Sequence, residues 1–212
     1  MNVVEIFQNR RKKYEREEKS DGSDVISSDS DDDQQEDSED EKRKYRPGGY
    51  FDPTSKKVFK DFKKNQWTID EKIGRGHFST VFSCTDKDGI VHAMKIQKSA
   101  KAYRIAAREE IAIHEHLSKC EKPGKENLCI MVQYFNHCAQ SGKHFCMIFP
   151  KADMDLEKYS YQFDKNMIPL ERTSKLAHGI LNGLSFLHEC GFLHSDLKPE
   201  NILCKKNGES ET

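Results

Sequence analysis

The sequence predicts an α+β fold in two lobes: a five-stranded antiparallel lobe with one main helix, then the start of a helical lobe. Three observations carry this: apolar runs of strand length between Trp67 and Phe149, turn residues between those runs, and a change to helical spacing beyond Pro150. Trp67 and Ile69 alternate with polar residues toward Gly74, and Val81 to Thr85 forms a second run rich in β-formers. Lys87-Asp88-Gly89 supplies hairpin chemistry, since glycine accepts the positive φ of a tight turn, and Ile90 to Ile96 is the returning strand. Residues 101–118 place Ile105, Ala106, Glu109, Ala112, Ile113 and Leu117 near one helical stripe, with Pro123-Gly124 after its end. Cys129 to Phe135 and His144 to Phe149 flank Ser141-Gly142 as another hairpin. Further on, Leu176, Ile180, Leu184 and Leu187 keep helical spacing, and Gly191 closes that helix.

Charge divides the chain in another way. Residues 1–41 contain 6 Lys+Arg against 15 Asp+Glu, a net of −9, so the rest carries +8 within a total of −1. Residues 21–41 hold eleven acidic residues, five serines and no base, too little apolar surface to offset the entropy of ordering them. The expected organisation is therefore a disordered tail over 1–41, an extension over 42–66, the strand-rich lobe over 67–150, the start of the helical lobe over 151–204, and a polar end over 205–212. Ser28, Ser30 and Ser38 each precede an acidic residue by three positions, a pattern suited to an acid-directed kinase. No apolar run is long enough for a membrane span, and the opening Met-Asn-Val-Val patch precedes its charges, the reverse of a secretory signal. Seven cysteines without a C-x-x-C pair point to a reduced compartment.

Three constellations bear chemistry. Gly74-Arg75-Gly76-His77-Phe78-Ser79 joins two expected strands, which speaks against a dinucleotide fingerprint, because that motif opens a helix. Small residues there let backbone N–H groups close over phosphates, although Gly-x-Gly in a hairpin is by itself more often a plain turn. Lys95 lies in an otherwise apolar strand, where an ammonium needs a partner; Glu110 on the following helix is the candidate, and a purely structural ion pair is the alternative. His194-Ser195-Asp196-Leu197-Lys198-Pro199-Glu200-Asn201 places a carboxylate, an ammonium and a carboxamide within six residues, framed by Leu197 and Ile202-Leu203. These groups match phosphoryl transfer: a proton acceptor, a cation for the migrating group and a metal ligand.

In that order and context the residues resemble a eukaryotic protein kinase. The resemblance implies ATP and Mg2+ as cofactors. It implies that Gly74, Arg75, Gly76, His77, Phe78 and Ser79 cover the ATP phosphates, that Lys95 holds the α- and β-phosphates, and that Glu110 positions Lys95. It further implies that Asp196 accepts the substrate hydroxyl proton, Lys198 steadies the γ-phosphate and Asn201 coordinates magnesium. Ile73, Val81, Ala93 and Leu203 would sandwich the adenine, with Phe149 as gatekeeper and the Ala152 backbone as hinge contact. Lys198, two residues beyond Asp196, is similar to the Ser/Thr-directed pattern.

A narrower likeness is to the SR-protein kinases. It rests on Tyr45-x-x-Gly48-Gly49-Tyr50, on Gly76-His77-Phe78-Ser79-Thr80-Val81, on Lys98-Ser99-Ala100 and on Cys146-Met147-Ile148-Phe149. It implies arginine-serine-rich splicing factors as protein substrates, a monomer, no direct nucleic-acid or membrane partner, and residence in cytoplasm and nucleus. Ser195 stands where most kinases have the Arg that pairs with a phosphorylated activation loop, and Pro150 replaces the usual acidic hinge residue. No Asp-Phe-Gly segment appears before Thr212, so the chain is expected to be an incomplete catalytic domain, inactive alone, with Lys205 to Thr212 opening a polar insert. The alternative is a truncated, non-catalytic kinase-like binding module. His137-Cys138 and His144-x-Cys146 match no usual zinc spacing, and the basic run Lys56 to Lys64, with Phe59 and Phe62 as its aromatics, is read as basic surface near the phosphate site and not as a nucleic-acid stacking platform.

Overall fold

The computed structural model describes residues 44–205; the acidic tail with its serines and the polar stretch from 206 onward lie outside them. The chain divides into two compact units, residues 44–114 with 131–149, and residues 115–130 with 150–205.

The first unit is built on a sheet. Its strands are β1 (Val58–Lys60), β2 (Gln66–Arg75), β3 (Ser79–Asp86), β4 (Val91–Gln97), β5 (Gln133–Ala139) and β6 (Gly142–Pro150). They lie in the order β1-β2-β3-β4-β6-β5, six strands where five were expected. The addition is β1, hidden in the Lys-rich stretch: Phe59 pairs with Trp67 and is 1% exposed while its neighbours face water. Phe51 from the extension is buried as deeply, so residues 42–66 supply part of this core. Period-two alternation sends Phe82, Cys84, Met94 and Ile96 to one face, where they meet Phe135, Cys146 and Ile148. Gly89 has φ +81 in the β3–β4 turn, and Asp86 Oδ1 accepts the N–H groups of Asp88 and Ile90, both at 2.9 Å.

Two expectations shift in detail. The run expected from Cys129 joins the ladder only at Gln133, because pairing counts outward from the tight turn, Ala139 opposite Gly142 and Gln133 opposite Ile148. The helix α1 (Lys101–Lys119) buries Ala107, Ile111, Ala112 and Leu117, whereas Ala106 is exposed and Ile105, Glu109 and Ile113 are half-buried. Packing of Ala107 and Ile111 against Met131, Phe145 and Met147 selects that face. The helix is apolar on several sides, so spacing alone does not choose between them.

Two histidines are packed into this unit. His144 is fully buried, with Nε2 2.7 Å from Ser141 Oγ and Nδ1 2.8 Å from the Gln97 carbonyl. His137 packs edge-on to Phe59 with centroids 4.9 Å apart, and burial, then Lys56 and His144, push its pKa down to about 4. Burial also lowers that of His144, against the pull of the Gln97 carbonyl. Both rings thus fold neutral, and below the ordinary histidine value of about 6.5, down to about 4 for His137, the unfolded chain binds more protons. Stability is full above the unfolded value and falls as acid is added through that window. We expect urea midpoints to decline from pH 7 to 4.5 and the decline to shrink in His137→Gln; identical slopes for the two proteins would contradict this.

The second unit is organised by α3 (Leu170–Glu189). Leu187 is buried, and Leu176, Ile180 and Leu184 are half-buried as their spacing predicts, while Gly183 and Phe186 extend the apolar face. Gly191, at φ +86, ends the helix: its N–H bonds to His188 O and that of Phe192 to Leu187 O, both 3.0 Å, the paired closure of a left-handed cap. Gly124 packs beside α3, where an added Cβ would lie 2.3 Å from the Asn182 carbonyl. β7 (Met154–Asp155) pairs antiparallel with β8 (Leu203–Cys204), and Asp155 caps α2 (Leu156–Ser160) by accepting the Lys158 N–H at 2.7 Å.

Candidate active site

In the first unit the candidate residues gather on one hairpin and one sheet face. Gly74 to Ser79 form the β2–β3 connection, closed by a Gly76 N–H bond to the Ser79 carbonyl at 2.9 Å. A Cβ on Gly76 would meet nothing within 4 Å, so internal packing does not require glycine there, and the space is open to a ligand. Arg75, Gly76, His77 and Phe78 are exposed. Ile73, 40% exposed, sits where the β2–β3 register shifts between Lys72 and Gly74. Val81 pairs with Lys95 and Ser83 with Ala93, so Val81, Ala93 and Lys95 share a face opposite the one that buries Phe82, Met94 and Ile96. Lys95 Nζ donates to both oxygens of Glu110 on α1, at 2.7 and 2.8 Å. The two side chains are 27% and 29% exposed, which leaves the ammonium within reach of solvent or a ligand. Phe149 alternates with the buried Cys146 and Ile148, so it lies on the same face of the sheet as Val81, Ala93 and Lys95, against the α1 cluster, with its ring 5.1 Å from that of His114.

In the second unit the candidate catalytic residues lie within one short stretch of chain. The Asp196 N–H bonds to the His194 carbonyl at 2.8 Å across Ser195, whose φ is +58. A three-residue turn with left-handed φ costs a non-glycine residue about 1–2 kcal/mol, and such strain concentrates at functional sites. It presents an Asp196 side chain that is 65% exposed. Asn201 Nδ2 donates to Asp196 O and to Asp196 Oδ2, both at 2.8 Å, and Lys198 Nζ is 3.4 Å from the same Oδ2. The turn Pro199–Asn201 brings these groups back to Asp196. With Nδ2 engaged, the Asn201 amide directs Oδ1 away from Asp196, and a carboxamide oxygen is the hard ligand that Mg2+ takes. Ala152 is half-buried just before β7, and Leu203 in β8 is 51% exposed opposite Asp155. The Pro150 carbonyl accepts a weak thiol bond from Cys129 at 3.7 Å; its second lone pair is what a purine donor would use.

One contributor escaped the sequence reading. The Tyr50 hydroxyl donates to the Gly76 carbonyl at 2.9 Å, so the extension touches the Gly-rich loop directly. The only signal was the Gly48-Gly49-Tyr50 wording, which carries no chemistry by itself.

Residues 67–210 match the protein kinase domain family. Among curated proteins the chain is similar to serine/threonine-protein kinase SRPK of Physarum polycephalum, 36% identical over 162 residues, 75% of this chain and 37% of that protein. Serine/threonine-protein kinase SKY1 of Saccharomyces cerevisiae is 32% identical over 166 residues, 75% of this chain and 22% of the relative. Protein kinase dsk1 of Schizosaccharomyces pombe is 31% identical over 163 residues, covering 75% and 29%. The chain therefore spans between about a fifth and two fifths of these relatives' length. Among solved structures, the crystal structure of a kinase domain superposes with a TM-score of 0.62 at 25% identity, over 74% of this chain and 43% of the other. The expected two-lobed fold and the resemblance to SR-protein kinases are both borne out: this chain belongs to the protein kinase family.

Proposed function

We propose that this chain carries the nucleotide-binding and catalytic-loop residues of a Ser/Thr protein kinase that modifies arginine-serine-rich splicing factors in the cytoplasm and nucleus. The observation that supports the reading most is the doubly bonded Lys95–Glu110 pair on the sheet face shared with Val81 and Ala93. A carboxylate that holds an ammonium at both oxygens fixes its position without covering it, which suits a cation meant for phosphate oxygens. Val81, Ala93 and Ile73 offer apolar surface to a purine, and Gly76 leaves room for phosphates. Asp196, aimed by Asn201, takes the proton of the attacking serine hydroxyl as its oxygen bonds to the γ-phosphorus and the bond to ADP breaks. Lys198 balances the charge that develops, and Asn201 Oδ1 would hold magnesium, which would supply neutralisation of phosphate oxygens. The substrate class rests on the SRPK-type relatives.

The test is transfer of labelled phosphate from ATP and Mg2+ to an arginine-serine peptide by the whole protein, with an acidic peptide as control. Incorporation on serine of the basic peptide is the expected outcome. Transfer to the acidic peptide alone would overturn the substrate assignment, and no transfer to either would overturn the kinase assignment.

A further inference from the structure

The segment before the sheet is wedged under the Gly-rich loop. Tyr50 is only 6% exposed, and its hydroxyl reaches the Gly76 carbonyl at 2.9 Å. Two cations lie over its ring, the Arg75 guanidinium 4.4 Å and Lys98 Nζ 4.2 Å from the centroid. Just upstream, the carbonyls of Gly48 and Gly49 accept the N–H groups of Ala100 and Ser99, both at 3.0 Å, immediately before α1 begins at Lys101. The glycines are needed for this approach: Gly48 has φ +86, and a Cβ on Gly49 would lie 2.3 Å from the Lys44 carbonyl. The same short segment therefore holds both the loop that carries Gly76 and the start of the helix that carries Glu110.

We infer that Tyr50 is a positioning residue for nucleotide binding, in a brace of residues 48–50 that holds the Gly-rich loop in register with α1. This rests on the proposed kinase reading. The hydroxyl draws the Gly76 carbonyl toward the brace, which turns the N–H of the same peptide, that of His77, to the opposite side, toward the space where phosphates would lie. Arg75, stacked on the Tyr50 ring, is drawn toward the same brace. A residue that acts this way changes how well ATP is held rather than the chemical step.

Tyr50→Phe keeps the ring and both cation contacts and removes one O–H group. In the whole protein we expect KM for ATP to rise about 2- to 10-fold with kcat nearly unchanged, the span that one net hydrogen bond gives. Amide hydrogen exchange without nucleotide should accelerate over residues 74–79 and not over the β5–β6 hairpin. Tyr50→Leu, which also removes the cation contacts, should raise both effects further. Unchanged exchange over 74–79 in Tyr50→Phe would overturn the brace, as would a uniform acceleration across the sheet. If exchange accelerates as expected yet the wild type binds no ATP, the kinase reading fails, and with it the nucleotide role, while the mechanical tie stands.

Discussion

Asp196→Asn in the whole protein lowers the rate of phosphoryl transfer by about 10²- to 10⁴-fold, the span that a positioned general base contributes. The substitution is nearly isosteric, and its carboxamide oxygen can still accept from Asn201 Nδ2, now 2.8 Å from Asp196 Oδ2, so the loop keeps its shape. What disappears is the ability to take a proton and the attraction to Lys198 Nζ at 3.4 Å. Asp196 is 65% exposed and Lys198 47%, so water screens the lost pair and the melting temperature barely moves. Initial rates with an arginine-serine peptide, together with a thermal melt, measure both. A variant that turns over as fast as the wild type would remove Asp196 from the chemistry.

Lys95→Met has the second large effect, a loss of roughly 10²- to 10³-fold, comparable to deleting one preorganised electrostatic group. Methionine fills much of the lysine stem's volume, so the strand is preserved while the charge goes. The Glu110 carboxylate, bonded twice to Lys95, is left to water, which its 29% exposure permits. Glu110→Gln should lose less, because a carboxamide oxygen still accepts from the ammonium and the charge facing phosphate is intact. The ordering Lys95→Met below Glu110→Gln below wild type, in ATP affinity and in turnover, is the readout. A Glu110→Gln protein more impaired than Lys95→Met would mean that the pair serves the fold rather than the nucleotide.

Strand β1 shows why part of the fold was not legible. Val58-Phe59-Lys60 has one buried residue between two exposed ones, a pattern too short to register within a lysine-rich stretch. Phe59 becomes a core residue because Trp67, Phe51 and Phe135 surround it, and Phe135 comes from a distant part of the chain. The start of β5 was misplaced for a related reason. Ladder register is counted from the turn, whereas an apolar run marks only which residues avoid water. The α1 face is a third case, decided by Phe145 and Met147 on a strand some thirty residues away.

The candidate site divides along the same line. Asp196, Lys198 and Asn201 meet through local chain geometry, a left-handed Ser195 and a turn begun by Pro199, so spacing alone announced them. Lys95 and Glu110 were pairable from sequence because an unpaired ammonium amid apolar neighbours demands an acid on the next element. Tyr50 was not pairable at all, since its partner is a backbone carbonyl 26 residues away, and every residue carries such a carbonyl.

Sequence by itself determined five of the sheet's six strands, the helices α1 and α3, the hairpins closed at Gly89 and Gly142, the helix stop at Gly191 and the candidate charged groups for phosphoryl transfer. These depend on backbone freedom, period and local chemistry, which are properties of neighbouring residues. Tertiary structure alone decided the sixth strand, the buried face of α1 and the hold of Tyr50 on the Gly-rich loop. Each of these is a choice among contacts of similar local energy, settled only when distant segments compete for the same space.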